Sequence, residues 1–554
     1  MRRSTATAVA CASLLLLLAG HVRPALAVDV PGDYPSIQAA LDAGATEILV
    51  AEGTYHETLL VTHDVTLLPA PPASWSDPIP VPKVDGMLLQ QTWELDNVYV
   101  RGFHFTGPVL LNDFEVNATI ESCRLDGGFA TPSSPVFVHL NIRNCVILGD
   151  LFSHAYWPQI TNNVVVGGGI TAWSNGGGSV NGNVIIGPAA VGIGTPSGDV
   201  GTSVYNNIIR NVQDGIVARL GGADSNLVED CAGTAYTAIG SASFYHNVAR
   251  RCGGNGITLA GSGTAVGNTV ESVGLDGIHV SSSFAPVRDN IVSHSGNHGI
   301  FATAGAAIHG NRVLSAGGDG IHAEHGDGAW GNVVGRCAGT GIVSPDLHHN
   351  TSYLNGGSGY RATDGYLDSL THNIAYGNKG FGLVWAGSGS PVLACNDWYG
   401  NTAGDVSGTN PGETDKYDYP LFCDLAQDDA SLSAVSPLLD SADCGLIGAL
   451  GQGCTEPAAV PPPAATLAPM SFTAMPNPAK GAVWFAWPGT NGAGRMEVYD
   501  VTGAVRWSRD LDGGLASLSW DAKDHQGQRL PAGVYYARLN SAGTVATARF
   551  VLVP

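Results

Sequence analysis

Between Asn163 and Asn396 the chain repeats one skeleton: an Asn, an aliphatic residue soon after it, a Gly-rich turn, then Gly-Ile. "DNIVSHSGNHGI" at 289–300 and "FATAGAAIHGNRVLSAGGDGI" at 301–321 show it back to back. The Asn column runs Asn163, Asn183, Asn207, Asn226, Asn247, Asn268, Asn290, Asn311, Asn332, Asn350, Asn373 and Asn396, with members 18 to 24 residues apart, most often 21 or 22. Aligning on Gly-Ile gives Ile170, Ile193, Ile216, Ile239, Ile257, Ile278, Ile300, Ile321 and Ile342, continued by Tyr360 and Leu383. The segments between anchors are too short, too glycine-rich and too β-branched for helices. One coil of three short strands and three turns fits the period, and stacked coils place equivalent residues about 4.8 Å apart. The Ile column then fills the interior. The Asn column becomes a ladder whose amides satisfy turn backbone that would otherwise be buried unpaired. A leucine-rich repeat has a comparable period, but its Leu-x-x-Leu-x-Leu skeleton is missing.

Composition excludes several other classes. With 75 Gly, 44% hydrophobic and 13% charged residues, the chain is neither a disordered polyanion nor, lacking a strict third-residue Gly, a collagen. A formal charge of −22 removes the basic stripe that nucleic acid or an anionic membrane surface requires. The first 27 residues carry Arg2 and Arg3, an apolar Val9–Gly20 core and Ala25-Leu26-Ala27, the pattern of a secretory signal peptide. Export makes disulfides available. Cys123 and Cys145 are 22 residues apart and Cys231 and Cys252 are 21 apart, one coil in each case. That suits the Cα separation of roughly 5.5 Å in a disulfide.

"DYPSIQAALDAGATEILVAEGTYHETLLVTHDVTLLP" at 33–69 resembles the opening of right-handed parallel β-helix proteins of the pectin-lyase-like superfamily. The resemblance implies an all-β solenoid over 28–454, of about 12–14 coils, capped by a short helix with Ile37, Ala40 and Leu41 inward. "CNDWYGN", "YPLFCD" and "SPLLDSADCGLIGALGQGC" resemble the closing segment of exported bacterial β-helices. There Cys395 is expected to pair with Cys423 and Cys444 with Cys454, leaving Cys337 as a buried small hydrophobe. A Pro/Ala-rich linker follows at 455–469, then a β-sandwich of about seven strands at 470–554. "WDAKDHQGQRLPAGVYYARL" at 520–539 resembles flagellar-hook-capping-type immunoglobulin-like domains and the C-terminal sorting domains of secreted bacterial proteins, which implies surface attachment or secretion sorting. Asp521, Asp524 and His525 in that stretch read as turn residues rather than metal ligands.

The pectin-lyase-like fold hosts lyases, hydrolases, epimerases and non-catalytic binders, so function rests on the site. The outward position after the Ile column runs Thr258, His279, Phe301, His322, Val343 and Arg361. The turn position two before Ile runs Asn255, Asp276, His298, Asp319, Thr340 and Ser358. The two columns flank one edge, which crowds Asp276, His279, His298, Asp319 and His322 over about three coils. Carboxylates beside imidazoles suit general acid and base chemistry or divalent-metal binding. His279 and His322, two coils or roughly 10 Å apart, are too far for one shared ion, so no metal site is expected. Phe301, Tyr360 and Arg361 are the expected sugar contacts. The Asn-Thr-Asp and Gly-His-Gly elements of polygalacturonase-like hydrolases are missing, with Asn297 where the latter needs Gly. The Asp-Pro-His-Asp element of alginate-epimerase-like proteins is missing too. The expectation is a secreted or cell-surface protein that binds a polysaccharide and, if it is an enzyme, a lyase or glycoside hydrolase with calcium as the cofactor to test. Its other expected partner is envelope secretion or anchoring machinery. The alternative is a non-catalytic adhesin anchored by its tail.

Overall fold

A computed structural model describes residues 27–71, 81–90, 95–112, 115–132, 136–196, 201–281, 285–303, 305–323, 325, 328–365, 369–456, 472–487, 494–511, 517–541 and 544–553. Residues 1–26 of the expected signal peptide and 457–469 of the expected linker lie outside them. The chain divides into two units, 1–458 and 459–554.

The first unit is a parallel β-solenoid of about 19 turns. The Asn anchors count only 12 of these, because the coils before Asn163 lack the Asn. The expected 12–14 coils therefore fell short. One coil shows the plan: strand Ala306–His309, a bend at Asn311, strand Arg312–Leu314, a glycine turn, then strand Ile321–His322. Each pairs in parallel with its equivalent one coil away, as in Ile278↔Ile300↔Ile321↔Ile342. The glycine of Gly-Ile is steric in origin. A Cβ on Gly299 would overlap Val313 Cγ1 and approach the Gly320 carbonyl oxygen.

The Asn column is buried throughout. Asn290 Oδ1 accepts from the Asn268 amide at 2.9 Å and from Asn268 Nδ2 at 3.0 Å, while Asn290 Nδ2 donates to the Ala265 carbonyl. The same bonds recur up to Asn396, whose amide donates to Asp415. A second, shorter ladder, which the sequence reading passed over, runs through Asn355, Asn378 and Asn401 and begins at the Cys337 amide.

One member of the Ile column is displaced. Ile239 is 47% exposed, and Tyr236 takes the inward place between Ile216 and Ile257. The Tyr236 hydroxyl proton is shared between the Asn226 and Val248 carbonyls, so the larger side chain is buried with its polar atom bonded. At the N-terminal end the expected stripe Ile37, Ala40 and Leu41 is buried on helix Ile37–Asp42, which Ser36 caps by accepting from the Ala39 amide.

The cysteines need three corrections. Cys231–Cys252 is bridged, but Cys123 and Cys145 are free and buried. They stand at the Asn position of their coils: the Cys123 amide donates to Cys145 Sγ and the Cys145 amide to Asn163 Oδ1. The one-coil spacing reflects that ladder rather than a bridge. The closing bridges are Cys395–Cys444 and Cys423–Cys454, not Cys395–Cys423 and Cys444–Cys454. Instead of extending the stack, the closing segment doubles back along its flank. Gly448 N donates to the His372 carbonyl, and Arg336 reaches Asp428 at 2.6 Å. Cysteines distant in sequence thereby become neighbours. Cys337 is free and buried.

Among the described residues the second unit has seven strands in two antiparallel sheets, Thr473–Met475, Val483–Ala486 and Ser517–Trp520 in one and Gly494–Asp500, Val505–Leu511, Gly533–Ser541 and Thr544–Leu552 in the other. Phe485, Trp520 and Phe550 meet in its core. Asp524 Oδ1 accepts from the Gln526 and Gln528 amides and Asp521 pairs with Lys523, which is turn chemistry. Among the described residues no helix is long and apolar enough to cross a membrane.

Candidate functional site

The outward column holds the register read from sequence: Thr258↔His279↔Phe301↔His322↔Val343↔Arg361. The adjacent turn column is itself a hydrogen-bonded ladder. Asp276 Oδ1 accepts from the His298 amide, His298 Nδ1 from the Asp319 amide at 3.1 Å, and Asp319 Oδ1 from the Thr340 amide at 2.7 Å. Each turn carboxylate also reaches the imidazole three residues on. Asp276 Oδ2 lies 2.8 Å from His279 Nδ1, and Asp319 Oδ2 lies 2.8 Å from His322 Nδ1.

Two equivalent carboxylate–imidazole pairs therefore stand two coils apart, and Phe301 fills the coil between them. Its ring centroid is 5.3 Å from that of His279, 5.1 Å from His298 and 5.4 Å from His322. His279, His298, Asp319 and His322 keep 20 to 27% of their side chains exposed, while Asp276 keeps 7%. Burial pushes the Asp319 carboxyl up. The hydrogen bonds from His322 and the Thr340 amide outweigh it and hold the group below the usual aspartate range. In each pair the carboxylate orients its imidazole, the arrangement a general base or a metal ligand needs.

Asn297 Nδ2 adds a 2.8 Å bond to Asp276 Oδ1. Arg361 stands two rungs beyond His322. Tyr360 is not a surface contact. It is fully buried in the Ile column, and its single hydroxyl proton is shared between the Asn350 and Ile374 carbonyls, each 2.8 Å away. Reading it as a sugar contact contradicted its own column, which points inward. Tyr360→Phe should cost about 1 kcal/mol of stability by removing the one hydroxyl proton that the two carbonyls share. Thermal unfolding would show a drop, with glycan affinity unchanged.

Across the stack, the outward column two residues before each Asn carries Tyr205, Asp224 and Tyr245 in register. With Ser203, Asn206 and Ser225 they line an open slot of about 390 Å³. Farther along, His309 stacks on Trp330 at 4.7 Å. This aromatic face was missed, although counting back two residues from each Asn anchor would have found it.

The right handed beta helix region family matches residues 192–337. No curated protein matches the chain. Similar solved structures include PorZ, a surface component of the type-IX secretion system of Porphyromonas gingivalis, at 19% identity over 15% of this chain and 11% of that one, with a TM-score of 0.13. Latent PorU from the same organism is 23% identical over 16% and 10%, with a TM-score of 0.14. The chain thus spans about a tenth of the length of either. The A-module of the Azotobacter vinelandii mannuronan C-5 epimerase AlgE4 is 11% identical over 69% of this chain and 95% of that one, with a TM-score of 0.25.

Proposed function

We propose that the chain is an exported protein that binds a polysaccharide along the Asp276–His322 edge. The observation that carries this reading is the half-buried Phe301 ring set between the Asp276–His279 and Asp319–His322 pairs on one rigid ladder. An aromatic face stacks on the apolar side of a sugar ring, while the flanking imidazoles and carboxylates meet its hydroxyls. A parallel stack holds these groups at a fixed pitch of about 4.8 Å, a scale suited to successive units of a polymer. Three disulfides support an oxidising, extracytoplasmic compartment. The C-terminal sandwich is read as the surface-attachment or sorting module. If the edge is catalytic, the His279 and His322 imidazoles are the acid and base, and the reaction is lyase or hydrolase chemistry. A non-catalytic adhesin is the second reading. The turn amides that engage Asp276 and Asp319 favour it, because they give both carboxylates a structural task.

The test incubates purified chain with neutral and acidic polysaccharides, with and without calcium, and reads binding, new reducing ends and unsaturated product. Phe301→Ala should weaken binding about tenfold, the loss of roughly 1.4 kcal/mol of stacking. Turnover abolished by His322→Ala makes the edge catalytic, and binding without turnover makes it an adhesin. Binding that survives Phe301→Ala unchanged removes the edge from consideration and directs attention to the Tyr205–Tyr245 slot.

A further inference from the structure

His279 and His322, on one column, are too far apart to share an ion, but the neighbouring turn column brings His298 closer. Across columns, the ligand atoms of His298, Asp319 and His322 all lie within 4.8 Å of one another, and they form the one such cluster among the described residues. Asp319 Oδ2 sits between the two rings, 2.8 Å from His322 Nδ1 and 3.9 Å from His298 Nδ1. We propose that these three side chains bind a divalent first-row transition metal ion.

The distances fit such an ion. Neighbouring ligands at about 2.1 Å on a tetrahedral centre are about 3.4 Å apart. The Asp319–His322 pair must therefore open and the Asp319–His298 pair close by roughly half an ångström, and the His298–His322 pair must settle at the same separation from within 4.8 Å, adjustments that side-chain rotation supplies. Two imidazoles and one carboxylate select zinc and its first-row neighbours over calcium, which requires six or more oxygens. Calcium, the cofactor to test from the sequence, does not suit this donor set.

The surroundings prepare the site as well. Asp319 Oδ1 is turned to the Thr340 amide, so Oδ2 is the oxygen that faces the imidazoles. Phe301 packs on His298 and His322 and limits their rotation. Binding displaces the proton shared by Asp319 and His322 and detaches the Asp319 amide from His298 Nδ1. Those losses place the affinity in the micromolar range rather than tighter. With three protein ligands the coordination sphere keeps a position for water or a ligand oxygen, the arrangement of an open zinc site. The site does not rest on the glycan reading.

The experiment titrates chelator-treated full-length chain with zinc by calorimetry and repeats it with cobalt, whose visible absorption reports nitrogen and oxygen ligation. The expected result is one ion per chain. Affinity should fall at least tenfold in Asp319→Asn and in His298→Gln, and should hold in His246→Asn on another face. Asp319→Asn keeps an acceptor for the Thr340 amide, and His298→Gln keeps one for the Asp319 amide, so both variants retain the turn ladder. Circular dichroism matching the parent verifies this. Failure to bind either ion, or binding that survives both substitutions, overturns the proposal. Glycan binding measured on the same samples is scored separately, so the two readings fail independently.

Discussion

Asn290→Ala should destabilise the solenoid by about 3–5 kcal/mol, far more than a typical single substitution. Asn290 Oδ1 receives both the backbone amide and the side-chain amide of Asn268, and its own Nδ2 serves the Ala265 carbonyl and Asn311. Truncation leaves the Asn268 amide buried without its acceptor and strips the Ala265 carbonyl of its side-chain donor, at about 1–3 kcal/mol each, and interrupts a continuous ladder. The adjacent Ile291 is the control, since it is 47% exposed, and Ile291→Thr should change stability by about 0.5 kcal/mol or less. In a stack where each coil contacts only its neighbours, a broken rung also uncouples the two sides. Urea unfolding of Asn290→Ala should therefore become broader or biphasic as well as earlier. Equal effects from the two substitutions would show that the ladder contributes no more than an exposed side chain.

That ladder also explains why so much of the architecture could be read in advance. Asn at the bend and Gly-Ile at the inward strand are set by backbone accounting and steric exclusion, and those demands recur in every coil. Once both columns are aligned, outward neighbours follow by counting, which is why Thr258 through Arg361 stand in the expected order. Reading failed where another residue met the same demand. Tyr236 does the work of Ile, and Cys123 and Cys145 stand where Asn stands elsewhere. The closing disulfides were out of reach for another reason. Their pairing depends on a segment folding back along the flank, and no period encodes that path. At the candidate site the five Asp and His residues could be gathered by column arithmetic. The approach of His298 to His322, with centroids 5.1 Å apart, runs diagonally between columns and escaped a comparison made along one.

The closing segment creates the second large effect, at Asp397. Ile374 and Asp397 occupy outward strand positions, where an aspartate would ordinarily face water. Phe422, Leu432 and Leu438 from the returning chain belong to one buried cluster with Ile374, and Asp397 is fully buried. Its Oδ1 accepts from the Asp418 amide at 2.8 Å, while Oδ2 has no hydrogen-bond partner. Burial pushes this carboxyl up to about 8, with Asp418, Asp405 and Asp415 adding to the rise against the pull of the Asp418 amide. The folded state thus holds a proton that the unfolded chain releases near pH 3.9. The group's contribution is fully present below that value, declines as pH rises, and is exhausted above about pH 8. Asp397→Asn keeps the acceptor for the Asp418 amide and removes the ionisation. The variant should match the parent near pH 4 and exceed it increasingly up to pH 8, by about 1.4 kcal/mol per unit at most and a few kcal/mol in all. Urea midpoints at pH 4.5, 7 and 9 read this directly, followed by the fluorescence of the neighbouring Trp398. Parallel pH profiles for the two proteins would mean that Asp397 is already ionised at neutral pH and that the closing segment admits water to it.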